Sequence, residues 1–146
     1  MAGKKYPPLD RPTRFVGVRE IAPAYESFSA GQIRKGLPMK ELDELARRLD
    51  IDRAMLAEVL GTSLRTLQRR AEGNERLGPA ASDRLARVRR LFDLATYVLG
   101  KPDKAARWMT SRSRALGEVP LQMLDTDIGA EKVQQELRQI EFGMPF

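Results

Sequence analysis

The sequence predicts an all-α protein in three parts: an N-terminal arm (residues 1–37), a helical unit (38–100) and a smaller helical unit (101–146). From residue 38 onward, apolar side chains recur at intervals of three and four positions, which places them on one face of a helix. Capping residues and glycines stand between these stretches, where helices are expected to begin and end. Together these patterns predict seven helices and little or no sheet.

The composition limits the chemistry that the chain can perform. Its 146 residues include no histidine and no cysteine, which excludes Cys/His zinc sites, the Ser-His-Asp and Cys-His triads, and disulfides. The net charge of +6 favours a polyanionic partner, and the three parts contribute +4, +2 and 0 to it. No apolar run is long enough for a membrane span, and none follows the basic start to make a signal peptide, so we expect a cytoplasmic protein.

The arm is expected to be flexible. Four prolines interrupt residues 1–37, and the apolar residues there show no sustained period. A short strand or a docking patch at residues 15–21 is an alternative to a mobile tail.

Four helices are predicted between residues 38 and 99. The inward stripe of the first consists of Met39, Leu42, Leu45, Ala46 and Leu49. Its outer face offers two favourable i,i+4 pairs, Asp43–Arg47 and Glu44–Arg48. Asp52 is predicted to cap the second helix, Ser63 the third and Ser82 the long fourth. In the third, the residues expected to face inward are Leu64, Leu67 and Ala71.

Residues 56–70 contain the parts of a helix-turn-helix. Ala57 is small where two helices must cross closely, Gly61 allows the tight turn, and Leu67 plugs the second helix into the core. Outward positions of that helix hold arginine, which reads guanine, and glutamine, which can read adenine. The next helix adds the further arginines Arg84, Arg87, Arg89 and Arg90. The alternative is an ordinary surface helix with solvated arginines.

The C-terminal third alternates helices and turns. A helix is predicted to start at residues 101–103 and to carry Trp108, and a short helical piece follows at 121–124. Residues 127–129 are predicted as a turn before a last helix that begins at about Ala130. Three large apolar side chains lie in the last five residues, and such an end must be covered by a partner or fold back on its own domain.

These motifs resemble two known families. Residues 56–70 are similar to the helix-turn-helix of Xre-type phage-repressor proteins, within a five-helix unit over residues 38–100. The segments 106–109, 116–129 and 133–143 resemble the toxin-binding domain of Xre-type antitoxins from RES–Xre toxin–antitoxin systems. That domain has a Trp-bearing helix, a Gly-x-x-Pro-Leu turn, a glycine and a final helix that ends near an aromatic–glycine pair.

The resemblance implies a homodimeric antitoxin with two ligands. Its helix-turn-helix would bind operator DNA and repress the shared promoter, through Ser63, Arg65, Thr66, Gln68, Arg69 and Arg70. Its C-terminal domain would obstruct the NAD-consuming active site of a RES-domain toxin, through Trp108, Pro120, Leu121, Arg138, Glu141, Phe142, Gly143, Met144 and Phe146. It implies no catalytic residue, metal or cofactor.

Other interpretations stay open at this point. The chain could be a homodimeric repressor without a toxin partner, whose C-terminal helices only dimerise it. With or without a toxin, the candidate dimer surface is the outer side of the fourth helix, at Leu94, Tyr97 and Val98, residues that could equally complete the core. Trp108 and Leu121 could be core residues too. An enzyme is not expected, because the sequence has no histidine, no cysteine and no phosphate-binding glycine loop. The acidic pair Asp125 and Asp127 could hold a divalent metal, but it lacks the rest of a calcium-binding loop.

Overall fold

The described part of the chain, residues 28–143 of a computed structural model, contains seven α-helices and no strand. Between the last two α-helices lies a 3₁₀ helix, Pro120–Asp125. The α-helices are α1 (Ala30–Lys35), α2 (Met39–Leu49), α3 (Arg53–Leu60), α4 (Leu64–Glu72), α5 (Pro79–Leu99), α6 (Pro102–Thr110) and α7 (Asp127–Glu141). The all-α prediction is confirmed for this part.

Helices α3 and α4 begin and end where their capping residues predict. The carboxylate of Asp52 accepts from the backbone N–H of Met55 at 2.9 Å, and the hydroxyl of Ser63 accepts from that of Thr66 at 3.1 Å. Gly61 ends α3 in the left-handed region with φ of 73°, a conformation that costs a non-glycine residue about 1–2 kcal/mol. These three residues therefore set the length and the crossing of the two helices.

Helix α1 lies within the segment that was expected to be a flexible arm. Ser29 and Gln32 form a reciprocal capping box at its start, with bonds of 2.8 and 3.1 Å. Six residues with Ile33 as the one large apolar side chain are too short to show a period, so apolar spacing does not predict this helix. Leu37, the last residue assigned to the arm, is 1% exposed and belongs to the core. Between residues 38 and 100 there are four helices, so α1 is needed to make five.

The start of α5 differs from the prediction. The helix begins at Pro79 with Gly78 as its N-cap, and Ser82 lies inside its first turns rather than at its cap. A proline at the first helical position has a preset φ and no N–H to satisfy, which explains the earlier start. The hydroxyl of Ser82 is buried and accepts from the backbone N–H of Leu37 at 2.8 Å. Ser82 thus ties the N-terminal segment to α5.

Helix α7 also begins earlier than predicted. The hydroxyl of Thr126 accepts from the N–H of Gly129 at 3.0 Å, so residues 127–129 form the first turn of the helix instead of a separate turn. Gly129 is buried there, and a β-carbon at this position would collide with the carbonyl oxygen of Met123 in the 3₁₀ helix. The absence of a side chain lets the two elements pack closely.

One hydrophobic core joins the described elements, and α5 runs through it. Arg87 and Arg90 of α5 bond to Asp127 and Gln134 of α7, in the same order along both helices, so the two helices run parallel. On α2, Glu44 pairs with Arg48 as predicted, but Asp43 pairs with Arg53 of α3 through two bonds of 2.7 and 2.8 Å instead of with Arg47. No helix among residues 28–143 is long and apolar enough to cross a membrane.

Candidate functional site

The outer face of α4 is the candidate nucleic-acid interface. Leu67 is 1% exposed and holds the helix on the core, while Ser63, Arg65, Gln68 and Arg69 are exposed. Thr66 is half-buried, and its hydroxyl accepts from that of Ser63 at 3.0 Å. Five of the six residues that were predicted to contact DNA therefore lie on the outer face of α4 or at its N-cap.

Two arginines give this face its charge. Within residues 28–143, neither Arg65 nor Arg69 makes an ion pair. Guanidinium groups in this setting can bond to phosphate oxygens or bidentately to guanine. A recognition helix that enters a groove needs an exposed face of this kind.

Arg70, the sixth predicted DNA contact, is turned to the chain itself. Its Nη1 donates to the carbonyl oxygen of Arg76 at 2.8 Å and lies 3.6 Å from the carboxylate of Glu75. Both partners belong to the loop between α4 and α5. Arg70 therefore organises that loop instead of standing beside Arg69.

The arginines of α5 do not extend the basic face as a group. Arg87 bonds to the carbonyl of Leu124 at 2.9 Å and to Asp127 at 2.6 Å, and Arg90 bonds to Gln134 at 3.0 Å. Arg89 lies 3.7 Å from Glu41 and 3.5 Å from Asp93, and its guanidinium stacks over the ring of Phe28. Arg84 packs at the turn, where its guanidinium occupies the space beside Gly61. Sequence spacing does not reveal these tertiary partners.

Leu64 differs from its predicted position. It is 37% exposed at the first position of α4, whereas the sequence predicted it to face inward with Leu67 and Ala71. Ala71 is half-buried. Three residues before Leu67, the chain is only just entering the helix, so Leu64 lies beside the core instead of within it.

The end of α7 is the candidate partner surface. Phe142 is 66% exposed, and beside it Arg138 and Glu141 form an ion pair of 2.9 Å. Gly143 is exposed as well. Met144 and Phe146, which were also predicted to contact a partner, lie outside the described residues.

The other three predicted partner contacts lie deeper. Pro120 is buried, Leu121 is 0% exposed, and Trp108 is half-buried against the core. Pro120 and Leu121 are positioned as core residues that hold the 3₁₀ helix in place. Only Trp108 keeps part of its surface accessible.

Tyr97 near the end of α5 and Ile128 near the start of α7 are exposed apolar side chains. Tyr97 is 42% exposed, and burial together with the nearby Glu141 carboxylate raises the pKa of its hydroxyl. Of its companions in the predicted dimer surface, Leu94 is buried and Val98 half-buried. Ile128, 68% exposed on α7, lies in the residues predicted as a turn, and no sequence pattern marked it.

No cluster of acidic side chains that could hold a metal ion occurs among the described residues. Asp127 is engaged with Arg87, and Asp125 is exposed. The arrangement presents surfaces for binding, one basic and one with an exposed aromatic ring.

Comparison with known proteins assigns a domain to each surface. Residues 29–90 match the model of the antitoxin Xre-like helix-turn-helix domain. Residues 94–143 match that of the antitoxin Xre/MbcA/ParS C-terminal toxin-binding domain. Helix α5 contributes to both matched ranges.

Curated relatives agree with these matches. The chain is 33% identical over 114 residues to "Antitoxin Xre" of Photorhabdus laumondii, covering 77% of each chain. It is 40% identical over 81 residues to "Antitoxin Xre" of Pseudomonas putida, covering 55% of this chain and 51% of the relative. It is 27% identical over 123 residues to "Prs ADP-ribosylating antitoxin" of a Sphingobium species, with 77% of each covered.

Proposed function

The chain belongs to the family of Xre-type antitoxins, and from this premise we propose that it binds a RES-domain toxin and obstructs the NAD-consuming active site of that toxin. The observation that carries the proposal is the exposed Phe142 at the end of α7, within the range that matches a toxin-binding domain. An aromatic ring with two-thirds of its surface in water is a natural anchor for a protein partner. The chain itself is not proposed to catalyse a reaction.

The proposed toxin surface combines this anchor with the polar groups around it. Arg138, Glu141 and Gly143 lie near Phe142 in the chain at the end of α7, and Met144 and Phe146 would continue the surface. Trp108 would contribute its accessible part. Pro120 and Leu121, being buried, would act by supporting the elements that carry the surface.

The proposal of an NAD-consuming partner has support from one relative. The name of the Sphingobium protein refers to ADP-ribosylation, a reaction in which NAD is the usual donor of the transferred group. Both partners of the chain, such a toxin and chromosomal DNA, would be met in the cytoplasm.

The second part of the proposal is repression of the operon that encodes the pair. Ser63, Arg65, Thr66, Gln68 and Arg69 would contact the operator, with one helix-turn-helix for each half-site. A homodimer on a near-palindrome, with half-site centres about 34 Å apart, would read both halves.

Co-expression with the neighbouring gene tests the toxin part. We expect the gene product alone to stop growth and deplete cellular NAD, and the full chain to restore both and to co-purify with it. Phe142→Asp is expected to abolish rescue, whereas the control Met55→Asp, at an exposed apolar side chain of α3 outside the range that matches a toxin-binding domain, is expected to keep it. If the product of the neighbouring gene is harmless and does not co-purify, the proposal is contradicted. The remaining interpretation is then a homodimeric repressor that has no toxin partner.

A further inference from the structure

An exposed leucine lies at the edge of the outer face of α4, although the sequence predicts it to face inward. Leu64 is the first residue of the helix and is 37% exposed. Its neighbours in the chain are the capping residue Ser63 and the exposed Arg65. A single exposed leucine is ordinary on a protein surface, so its meaning depends on what this surface faces.

The position of Leu64 on the helix places it beside the groove-facing side chains. At about 100° per residue, Leu64 lies about 40° from Gln68 around the helix axis and about 60° from the buried Leu67. It therefore lies on the border between the core stripe and the exposed face. Because it is in the first turn, it lies at the end of a recognition helix that contacts base edges.

We propose that Leu64 reads the C5-methyl group of a thymine in the major groove. The inference rests on the proposed binding of operator DNA. Leucine has no hydrogen-bonding group, and the thymine methyl is the apolar feature that the major groove displays. The exposed Arg65 and Arg69 on the same helix complement the charge of the DNA on which this contact would form. Leu64 would thus determine specificity at one base pair of each half-site.

The experiment uses the full chain and removes only the methyl group. Duplexes are first selected from a random library with the wild-type protein, and each thymine of the selected sequence is then replaced singly by deoxyuridine. At one thymine per half-site we expect a loss of affinity of about fourfold, the effect of one buried methyl group. Leu64→Ala is expected to bind the thymine and deoxyuridine duplexes equally.

Matched variants separate this contact from a general effect. Ile128→Ala, which removes an exposed apolar side chain from the C-terminal unit, is expected to keep the fourfold preference. Thermal unfolding of Leu64→Ala is expected to show a much smaller loss of stability than that of Leu67→Ala, since Leu64 is 37% exposed and Leu67 is 1% exposed.

Four results would overturn the inference, and they are distinguishable. Selection of no sequence at all by the wild-type chain would remove the DNA-binding function on which it rests. A selected sequence at which every deoxyuridine is neutral, or a Leu64→Ala variant that keeps the preference, would remove the methyl contact alone. A change of oligomeric state in Leu64→Ala would assign the side chain to contact with a second copy instead.

Discussion

Arg87 of α5 and Asp127 of α7 form an ion pair in which Nη2 and Oδ1 are 2.6 Å apart, yet the two side chains differ in exposure, 12% against 91%. Nη1 of the same arginine donates to the carbonyl oxygen of Leu124 at 2.9 Å. One buried guanidinium thus connects the middle of α5 to the end of the 3₁₀ helix and the start of α7. This connection links the helix-turn-helix to the unit that matches a toxin-binding domain.

Because the arginine is the buried member, the two halves of this pair should differ in their effect on stability. Arg87→Met leaves the carbonyl of Leu124 without its donor and should lower the free energy of unfolding by about 1–3 kcal/mol. Asp127→Asn affects an exposed partner and should cost less than about 1 kcal/mol. Urea unfolding at neutral pH measures both, and equal losses would contradict the assignment.

Gly129 should not tolerate a side chain. Its β-carbon would collide with the carbonyl oxygen of Met123, which is backbone and cannot rotate away. Gly129→Ala should therefore lower the free energy of unfolding by about 1–3 kcal/mol, as overpacking does. Gly31→Ala in α1 is the control, since the atom nearest to its β-carbon would be the hydroxyl oxygen of Ser29 at 3.8 Å, and alanine is the better helix former. Thermal unfolding should show Gly31→Ala unchanged or stabilised, and a similar loss in both variants would refute the prediction.

Neighbouring arginines of α4 should separate DNA binding from folding. Arg69→Gln should weaken binding to a selected duplex by about 1–3 kcal/mol if its contact is bidentate to a base, with little change in stability. Arg70→Gln should instead destabilise the loop through which it bonds to Arg76 and Glu75. Equilibrium titration on selected and random duplexes, beside thermal unfolding, measures both effects. Equal losses of Arg69→Gln on the two duplexes would identify a phosphate contact.

Glu136 should make stability fall as the pH rises. It is 7% exposed on α7, and burial raises the pKa of its carboxyl above the ordinary value of 4.5. The folded chain therefore holds this proton more tightly than the unfolded chain, so stability is lost between the unfolded and the folded pKa, and the loss is complete above the latter. Glu136→Gln should raise the free energy of unfolding at pH 7 by about 0.5–1 kcal/mol and leave it unchanged at about pH 3.

The matched variant for this prediction is Glu131→Gln, at an exposed position of the same helix. It should change the free energy of unfolding little at either pH. A Glu136→Gln effect that is the same at both pH values would show that the charge is not its cause.

The sequence predicted the helices well where local chemistry decides them. Apolar spacing located α2 to α7, and Asp52, Gly61 and Ser63 cap or end their helices as expected because each acts on backbone groups three or four residues away. The prediction that Ser82 caps α5 was wrong because Pro79 starts the helix earlier, and proline can do so without a side-chain cap. Helix α1 was missed because six residues with one large apolar side chain show no period, and because the entry of Leu37 into a distant core leaves no local pattern.

The site was harder to predict because long side chains choose partners across the fold. Arginines at similar spacing look alike in the sequence, yet Arg69 faces outward, Arg70 bonds to a loop and Arg87 bonds to α7. The burial of apolar side chains was equally hard to predict. Leu64 is exposed although it was expected to face the core, and Leu121 is buried although it was expected to contact a toxin. Such differences depend on packing between elements that local patterns do not encode.

Helix α5 leaves no natural point at which to exchange one half of this protein for another. It is 21 residues long, which is about 31 Å at 1.5 Å per residue. Arg84 contacts the turn of the helix-turn-helix, and Arg87, one helical turn later, bonds to the 3₁₀ helix and to α7. A chimera joined at the boundary between α5 and α6 would give the transplanted half a foreign helix to pack on. For a chimera to fold, each transplanted half must therefore keep the α5 side chains on which it packs. The unit that can be exchanged is a half together with its own face of α5.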